Sequence, residues 1–482
     1  MVGLLARCAR GLSRDGERSC VAVGGTMSDD KHDISFMPSD GVSYDPTEPA
    51  YHDPQGLKKE LIRAYALCHS CRMCFKFCDS FPILFELIDE KYDGDVRKIT
   101  DRENDRIMDA CFQCKLCEVQ CPYTPRDKHE FQLDFPKLVH RYKSVRAKER
   151  GMTFRDRVLG DPDAAGMAAR ASLGLANVAN RMGVARFFME KTLGIHRNKL
   201  LPSFAKQTFE EWAIETGRVR TSHEAEVVLF HTCFVQHNDP TIGMDVLDVF
   251  AKNEVDCACV QGLQCCGMPA WEHGDLASLR RQAHVNLNLL LPYVEKGAKV
   301  LAINPTCSMM MRREYAELLE GKDRERAKVL AEAVMDPSEY LWTLRNEPRF
   351  NTHFRSRPPG GKVAYHTPCH LRAQSKGFKG RDILKKIPGV KPITVMECCG
   401  HNGTFAMTVE GFDASKRLGK KAFDGMMAAD AEVWASDCPL AAIQFQQHTG
   451  IKPMHPMTIL SRAYRADGFA EAVPSADDAT DK

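Results

Sequence analysis

Apolar positions change their spacing along this chain, and each change predicts a different kind of element. "FPILFELIDEKY" and "ITDRENDRIMDACFQC" carry apolar residues at helical period among many charges, which predicts helices across 81–114. Helical spacing continues through the cysteine-free stretch 146–222. There "GMAARASLGLANVANRMGVARFFMEKTLGI" puts Leu175, Val178 and Met182 on one face, and Phe187 and Phe188 extend it. Beyond 222, short β-branched runs alternate with helical stretches, the pattern of α/β units. Four of these runs, "EVVLFHTC", "AKVLAINPTC", "GKVAYHTPC" and "AEVWASDC", read as strands stopping at Cys233, Cys307, Cys369 and Cys438. The polar segment 1–55, rich in Asp, Ser and Pro, and the acidic tail 469–482 are expected to be disordered. No stretch approaches the ~20 apolar residues of a membrane-spanning helix, and "LNLLLPYV" is the richest, so no span is expected.

Charge and cysteine content narrow the class. Sixty-six basic against 64 acidic residues leave a net charge of +2, which gives no nucleic-acid surface. Of 20 cysteines, all but Cys8, Cys20, Cys257 and Cys259 fall into tight repeated patterns. That is the usage of a cytoplasmic, reducing-compartment protein whose thiolates bind metal, not of a disulfide scaffold. Residues 1–26 are Arg-rich but lack an apolar targeting core, so they read as an overlong start, with Met27 opening the protein.

From Cys68 the chain reads "CHSCRMCFKFCDS" and from Cys111 "CFQCKLCEVQCP", two copies of C-x2-C-x2-C-x3-C. Three cysteines at this spacing wrap one corner of a cubane, and the fourth reaches the neighbouring cluster in two-cluster ferredoxins. Cys68, Cys71, Cys74 and Cys121 are therefore expected to hold one [4Fe–4S] cluster, and Cys111, Cys114, Cys117 and Cys78 a second. Structural zinc prefers two ligand pairs with a longer spacer. Asp79 follows Cys78 where proline usually stands, whereas Pro122 follows Cys121 as expected. The long charged segment between the motifs resembles the α-helical ferredoxin domain of fumarate-reductase-type iron–sulfur subunits, which implies a mainly α domain over 56–145.

Next comes the connector, 146–222. Arg181, Arg186, Lys191, Arg197 and Lys199 suit a helix lying on a membrane surface. Glycine and alanine dilute its apolar face, however, and it reads as a helical bracket packing the ferredoxin domain against the α/β region after it.

The remaining chain is an internal duplication. In 223–355, Cys233 is followed by Cys265–Cys266–Gly267 and Cys307; in 356–468, Cys369 is followed by Cys398–Cys399–Gly400 and Cys438. Adjacent cysteines on a strand would face opposite sides, and a bond between them departs from ordinary disulfide geometry. Gly267 and Gly400 allow a sharp turn at positive φ, so both thiolates of a pair can grip one metal centre. The single cysteines stand past strand ends, the edge where open α/β sheets bind ligands. Cys257 and Cys259 alternate with Ala258 and have no counterpart in the second half, so they read as packing residues. His231, His366, His370 and His401 stand near the cysteines and are expected to hydrogen-bond sulfur or backbone rather than ligate.

Over about 60–465 these motifs make the chain similar to heterodisulfide-reductase-related iron–sulfur proteins with paired CCG domains. That family includes the C-subunit type of anaerobic glycerol-3-phosphate dehydrogenase, the iron–sulfur component of glycolate oxidase and the lactate-utilisation proteins. The resemblance implies an α-helical ferredoxin domain followed by a duplicated α/β CCG domain. It further implies two [4Fe–4S] clusters, one or two further Fe–S clusters in the CCG units, and electron transfer from a flavoprotein dehydrogenase to a quinone or other acceptor. One departure stands out. The heterodisulfide-cleaving protein ends each unit in C-x-x-C, whereas Met310 and Ala441 occupy those places here. Four thiolates suffice for an ordinary cubane but speak against a heterodisulfide or thiol reductase. No G-x-G-x-x-G follows a strand, which puts the flavin on a partner. The alternative is a redox hub feeding a rubrerythrin-type peroxide reductase. The expected location is the cytoplasm, with attachment at the inner face of the membrane through a partner or the bracket.

Overall fold

The computed structural model describes residues 28–29, 34–220, 222–401 and 403–473. The readings of 1–26, Met27, Cys8, Cys20 and 474–482 lie outside the described residues. Between 54 and 150 the main elements are α1 (Pro54–Cys71), α2 (Ser80–Glu86), α3 (Asp101–Asp109), α4 (Leu116–Gln120) and α5 (Phe135–Arg150). Local chemistry starts them. Asp53 accepts from the Gln55 and Gly56 amides ahead of α1, with Pro54 in its first turn. Thr100 and Glu103 form a capping box at α3. Leu61, Tyr65, Phe81, Leu84, Ile107 and Leu138 build their shared core.

Disorder through residue 55 is not what the structure shows. From 34 onward the chain packs on α1 and α5, burying Phe36 and Tyr51. The buried Arg141 guanidinium donates to the carbonyls of Gly41 (2.6 Å), Ala50 (2.7 Å) and Tyr51 (2.9 Å). One side chain thus satisfies the backbone of a segment whose own sequence forms little regular structure.

The connector forms α6 (Phe154–Gly160), α7 (Pro162–Ala171), α8 (Leu175–Ala179) and α9 (Gly183–Leu193). The continuous apolar face drawn on the sequence is broken. Left-handed residues at Leu173 and Gly174 end one helix, and the chain leaves helical geometry again at Met182. Leu175, Val178, Met182, Phe187 and Phe188 are consequently exposed. The segment still brackets the molecule, through polar contacts and, in its last helix Phe209–Glu215, through Phe209 and Ala213 buried in the core of the first CCG sheet.

The first CCG unit has a parallel sheet of order β2-β1-β3-β4, with β1 (Val227–Phe230), β2 (Cys257–Cys259), β3 (Lys299–Ala302) and β4 (Val334–Met335). The second has β5 (Lys362–His366) between β6 (Lys391–Val395) and β7 (Val433–Ser436), again parallel. Its fourth position is a single parallel bridge from Ala435 to Met454. In both halves the first strand is central and the second and third flank it, so the cysteine-bearing loops emerge at one edge of each sheet. The tail is ordered further than expected: Phe469 is buried, and Glu471–Ala472 pairs with Ser356–Arg357, secured by Arg357 to Glu471.

Candidate metal centres

Four cysteine groups lie in series where the modules meet. Cys68 and Cys71 sit on the last turn of α1, Cys74 in the following loop, and Cys121 at the C-terminal cap of α4. All four line one small cavity with Leu67 and Phe81. Burial pushes the Cys68 thiol well up, and Cys74, Cys121 and Cys71 push it further. Burial, Cys121 and Cys71 raise Cys74 to about 12. In the second group, burial raises Cys117, followed by Cys114, Cys74, Cys111 and Cys78. Each motif's fourth cysteine therefore sits with the other motif's first three. The two groups touch where Cys74 Sγ approaches the Cys117 carbonyl at 3.8 Å.

The loop between Cys111 and Cys117 has a special backbone. Gln113 (φ 56°) and Lys115 (φ 58°) both adopt the left-handed region, one residue apart. Such alternation turns amide N–H groups inward to make an anion-binding concavity, a cradle for a negatively charged cluster of thiolates. Burial and mutual repulsion oppose ionisation of these thiols, and a bound metal core reverses that, because coordinating thiols are deprotonated outright. Among the described residues no three His, Cys, Asp or Glu side chains are gathered tightly enough to hold a single ion. A cubane, with one thiolate per iron, asks for a wider ring. The donor set fits an iron–sulfur cluster.

The two CCG groups are built alike at the pair. Gly267 (φ +89°) and Gly400 (φ +72°) follow the vicinal cysteines. A Cβ on Gly267 would stand 2.3 Å from Leu279 Cδ1, and one on Gly400 2.2 Å from the Ser415 carbonyl oxygen. Glycine is required for both conformation and space. Around the pairs the groups differ. Cys233, on the helix Thr232–His237 after β1, is raised first by its hydrogen bond with Cys265 and then by burial. Cys265 is linked to Cys266, and Cys266 to Cys307 on the helix Pro305–Met309. The first group is thus a continuous chain of thiols from Cys233 to Cys307. In the second, Cys369 opens the helix Cys369–Ala373, while Cys438 caps Pro439–Thr449 and accepts from the Ala441 amide at 3.4 Å. Burial, then Cys398, Cys399 and Cys438, raise Cys369.

The groups connect in a definite order. Burial raises Cys114, and the next contributions come from Cys398 and Cys369, which puts the second CCG group beside the 111–117 loop. Cys307 in turn feels Cys438, so the two CCG groups adjoin. Both units grip the same loop. The His370 ring contacts the Gln113 carbonyl at 2.9 Å and Thr306 Oγ1 at 2.9 Å, and Phe405 packs on Phe112 with centroids 5.1 Å apart. From the other side Glu314 pairs with Lys115, each 1% exposed, and Lys115 lies 5.1 Å over the Trp271 ring.

His366 bonds Ser436 and the Glu397 carbonyl, so it and His370 serve hydrogen bonding. His231 Nδ1 and His401 Nδ1 are buried without a hydrogen-bond partner. Cys259 is buried in β2 and Cys257 half-buried, both packed in the core of the first sheet. Two connector residues at the sites escaped the sequence reading. Asp163 accepts from the Cys265 amide at 2.6 Å. Lys199 Nζ donates to Gln444 at 2.5 Å; burial lowers its pKa to about 8, and Cys399 opposes that shift. No motif marks either residue.

The profile of the cysteine-rich CCG domain matches residues 227–312 and 363–446, and that of the 4Fe-4S dicluster domain matches 67–124. The chain is an iron–sulfur protein with paired CCG domains. It is 27% identical over 314 residues to the C subunit of the anaerobic glycerol-3-phosphate dehydrogenase of Escherichia coli K12, covering 64% of this chain and 77% of that one. It is 23% identical over 253 residues to the B subunit of the fumarate reductase (CoM/CoB) of Methanothermobacter marburgensis, covering 50% of this chain and 47% of that one. Lactate utilization protein A 2 of Bacillus cereus is 24% identical over 190 residues, 38% of this chain and 74% of the relative. Paired CCG domains behind a dicluster domain are the parts of an iron–sulfur electron-transfer protein, and two of these relatives are named as subunits of a dehydrogenase and of a reductase.

Proposed function

We propose that this chain carries electrons from a flavoprotein dehydrogenase to a quinone. In this reading Cys68, Cys71, Cys74 and Cys121 hold one [4Fe–4S] cluster, and Cys111, Cys114, Cys117 and Cys78 the other. Cys233, Cys265, Cys266 and Cys307, and Cys369, Cys398, Cys399 and Cys438, hold one further cluster each. Bound there, such clusters supply reversible one-electron transfer. The observation that carries the reading is the unbroken series of four cysteine groups, buried or half-buried, each adjoining the next. The helical elements between 54 and 150 suit an α-helical ferredoxin domain. Relatives named as subunits of a dehydrogenase and a reductase favour a separate partner for substrate oxidation.

We place the protein against the inner face of the membrane. Exposed Leu175 and Val178 on α8 and Val184 and Phe188 on α9 stand with Arg181, in the turn between the two helices, and Lys191 on α9, a combination suited to anionic lipid. Among the described residues no helix is long and apolar enough to cross a membrane.

Iron and acid-labile sulfide per chain, with EPR of the reduced protein, test the cluster complement. About sixteen irons fit the four loaded sites, and about eight would overturn the two CCG clusters while leaving the ferredoxin pair. Fewer than eight in protein purified anaerobically would sink the reading. A Cys398→Ser, Cys399→Ser double variant should lose one signal and keep the ferredoxin pair.

A further inference from the structure

A cleft where the ferredoxin helices, the connector and both CCG units meet has no role in the electron path proposed above. Its volume is about 660 Å³, within the roughly 300–1,000 Å³ of small-molecule sites. No cysteine lines it, but its floor is made of residues that border the second cysteine group, Asp79 beside Cys78 and Ala110 beside Cys111. The buried Lys143 lines it and donates to the Cys111 carbonyl at 3.4 Å, and Phe405, packed on Phe112, completes the floor. One wall carries titratable side chains. His273 contacts Asp156 at 3.4 Å and Thr404 Oγ1 at 3.0 Å, and the buried Glu272 accepts from the Thr404 amide at 2.7 Å.

The mouth is different in character. Met152, Thr153 and Arg155 border it at the start of α6, whose Phe154 is 70% exposed. α6 packs on α9, which leaves Phe188 60% exposed, and Val409, exposed as well, bonds the Gly194 carbonyl at 2.8 Å. A polar pocket bordering the second cysteine group therefore opens beside an apolar rim.

We propose that this cleft binds the headgroup of a lipophilic quinone, whose tail leaves over the Phe154–Phe188 rim. The proposal rests on the electron-transfer function proposed above. A protein that accepted electrons alone would need only a cluster near the surface. A cleft that also holds an imidazole–carboxylate pair suits an acceptor that takes up protons. Lys143 hydrogen-bonds one quinone carbonyl oxygen. The ring gains two electrons, delivered one at a time by the reduced chain and drawn from the flavoprotein's substrate, which is oxidised. Each carbonyl oxygen gains one proton through His273, replaced from solvent past Asp156, so both C=O groups become C–OH and quinol leaves.

The test uses the full chain, purified anaerobically with its iron measured, and decylubiquinone as probe. Equilibrium binding to the oxidised protein should give one site and perturb the EPR of the reduced ferredoxin pair. Ala147→Trp and Ala414→Trp, which fill the cleft without touching a cysteine, should each weaken binding at least roughly tenfold with iron content retained. His273→Gln should bind normally and lower kcat for quinol formation with little change in KM. Undiminished binding in both tryptophan variants overturns the site. Wild-type protein that reduces ferricyanide but neither binds nor reduces the quinone overturns the proposal and leaves electron transfer standing. Clusters that no low-potential donor reduces would overturn both.

Discussion

The cysteines of the first CCG unit lie beside a carboxylate, Asp163, and those of the second beside an ammonium, Lys199. The strand order around them is the same and both pairs turn on a glycine, so the difference comes from outside the duplicated units, from one connector that touches both. The contacts to the ferredoxin loop differ in the same way. The first unit meets it through the buried Lys115–Glu314 ion pair, the second through neutral bonds of His370 and the Phe112–Phe405 contact. Duplication supplied two equal frames, and charge placed by neighbouring segments made their sites unequal.

The largest effect should come from breaking the charged contact. Lys115→Met strips the buried Glu314 of its direct ion-pair partner, leaving only the more distant Arg313 and Lys137, a loss of up to about 3–5 kcal/mol. His370→Leu, at the neutral contact, removes hydrogen bonds worth about 1 kcal/mol each. Denaturant unfolding of the iron-loaded protein measures both. Adding Glu314→Leu to Lys115→Met should restore most of the loss, because the stranded carboxylate is what costs stability. Equal losses in the two single variants would mean that the interfaces do not differ in this way.

A smaller effect should appear in the potentials. Reduction adds negative charge to a cluster, so a nearby ammonium favours the reduced form and a carboxylate the oxidised form. Lys199→Gln should lower the potential of the second CCG centre, and Asp163→Asn should raise that of the first. Each shift is about 60 mV, equivalent to a tenfold change in a one-electron equilibrium. Redox titration followed by EPR reads both. Shifts of the same sign would show that hydration or loop movement, not the placed charge, sets the difference.

The cysteines and glycines were legible in the sequence because their spacing is local. The α/β repeat was legible because parallel strands buried on both faces keep near-continuous apolar runs such as "VVLF" in β1. What escaped was long-range. Asp163 reaches Cys265 across 102 positions and Lys199 reaches Gln444 across 245. Neither stands in a motif, and Lys199 looked like one more basic residue on a helix. The order of 34–53 was hidden for a related reason: it depends on Arg141, roughly 90–100 positions away from the carbonyls it holds. The connector misled in the other direction. Its apolar residues fit a helical period, but the chain leaves helical geometry at Met182, which divides them between α8 and α9 and leaves them outside.

That exposed set gives the smallest predicted change in the fold and isolates the connector from both sites it serves. Phe188→Ser and Val184→Ser remove apolar surface between the segments carrying Asp163 and Lys199 while touching neither. Surface substitutions of this kind shift stability by less than about 0.5 kcal/mol, so unfolding and both CCG potentials should stay at their wild-type values. Sedimentation with vesicles containing phosphatidylglycerol should fall, because partition onto a lipid surface scales with the apolar area buried there. If the potentials move as well, the connector transmits what happens on its outer face to the charges it holds against the cysteines. The two CCG environments would then be adjustable from the surface, not fixed by the fold.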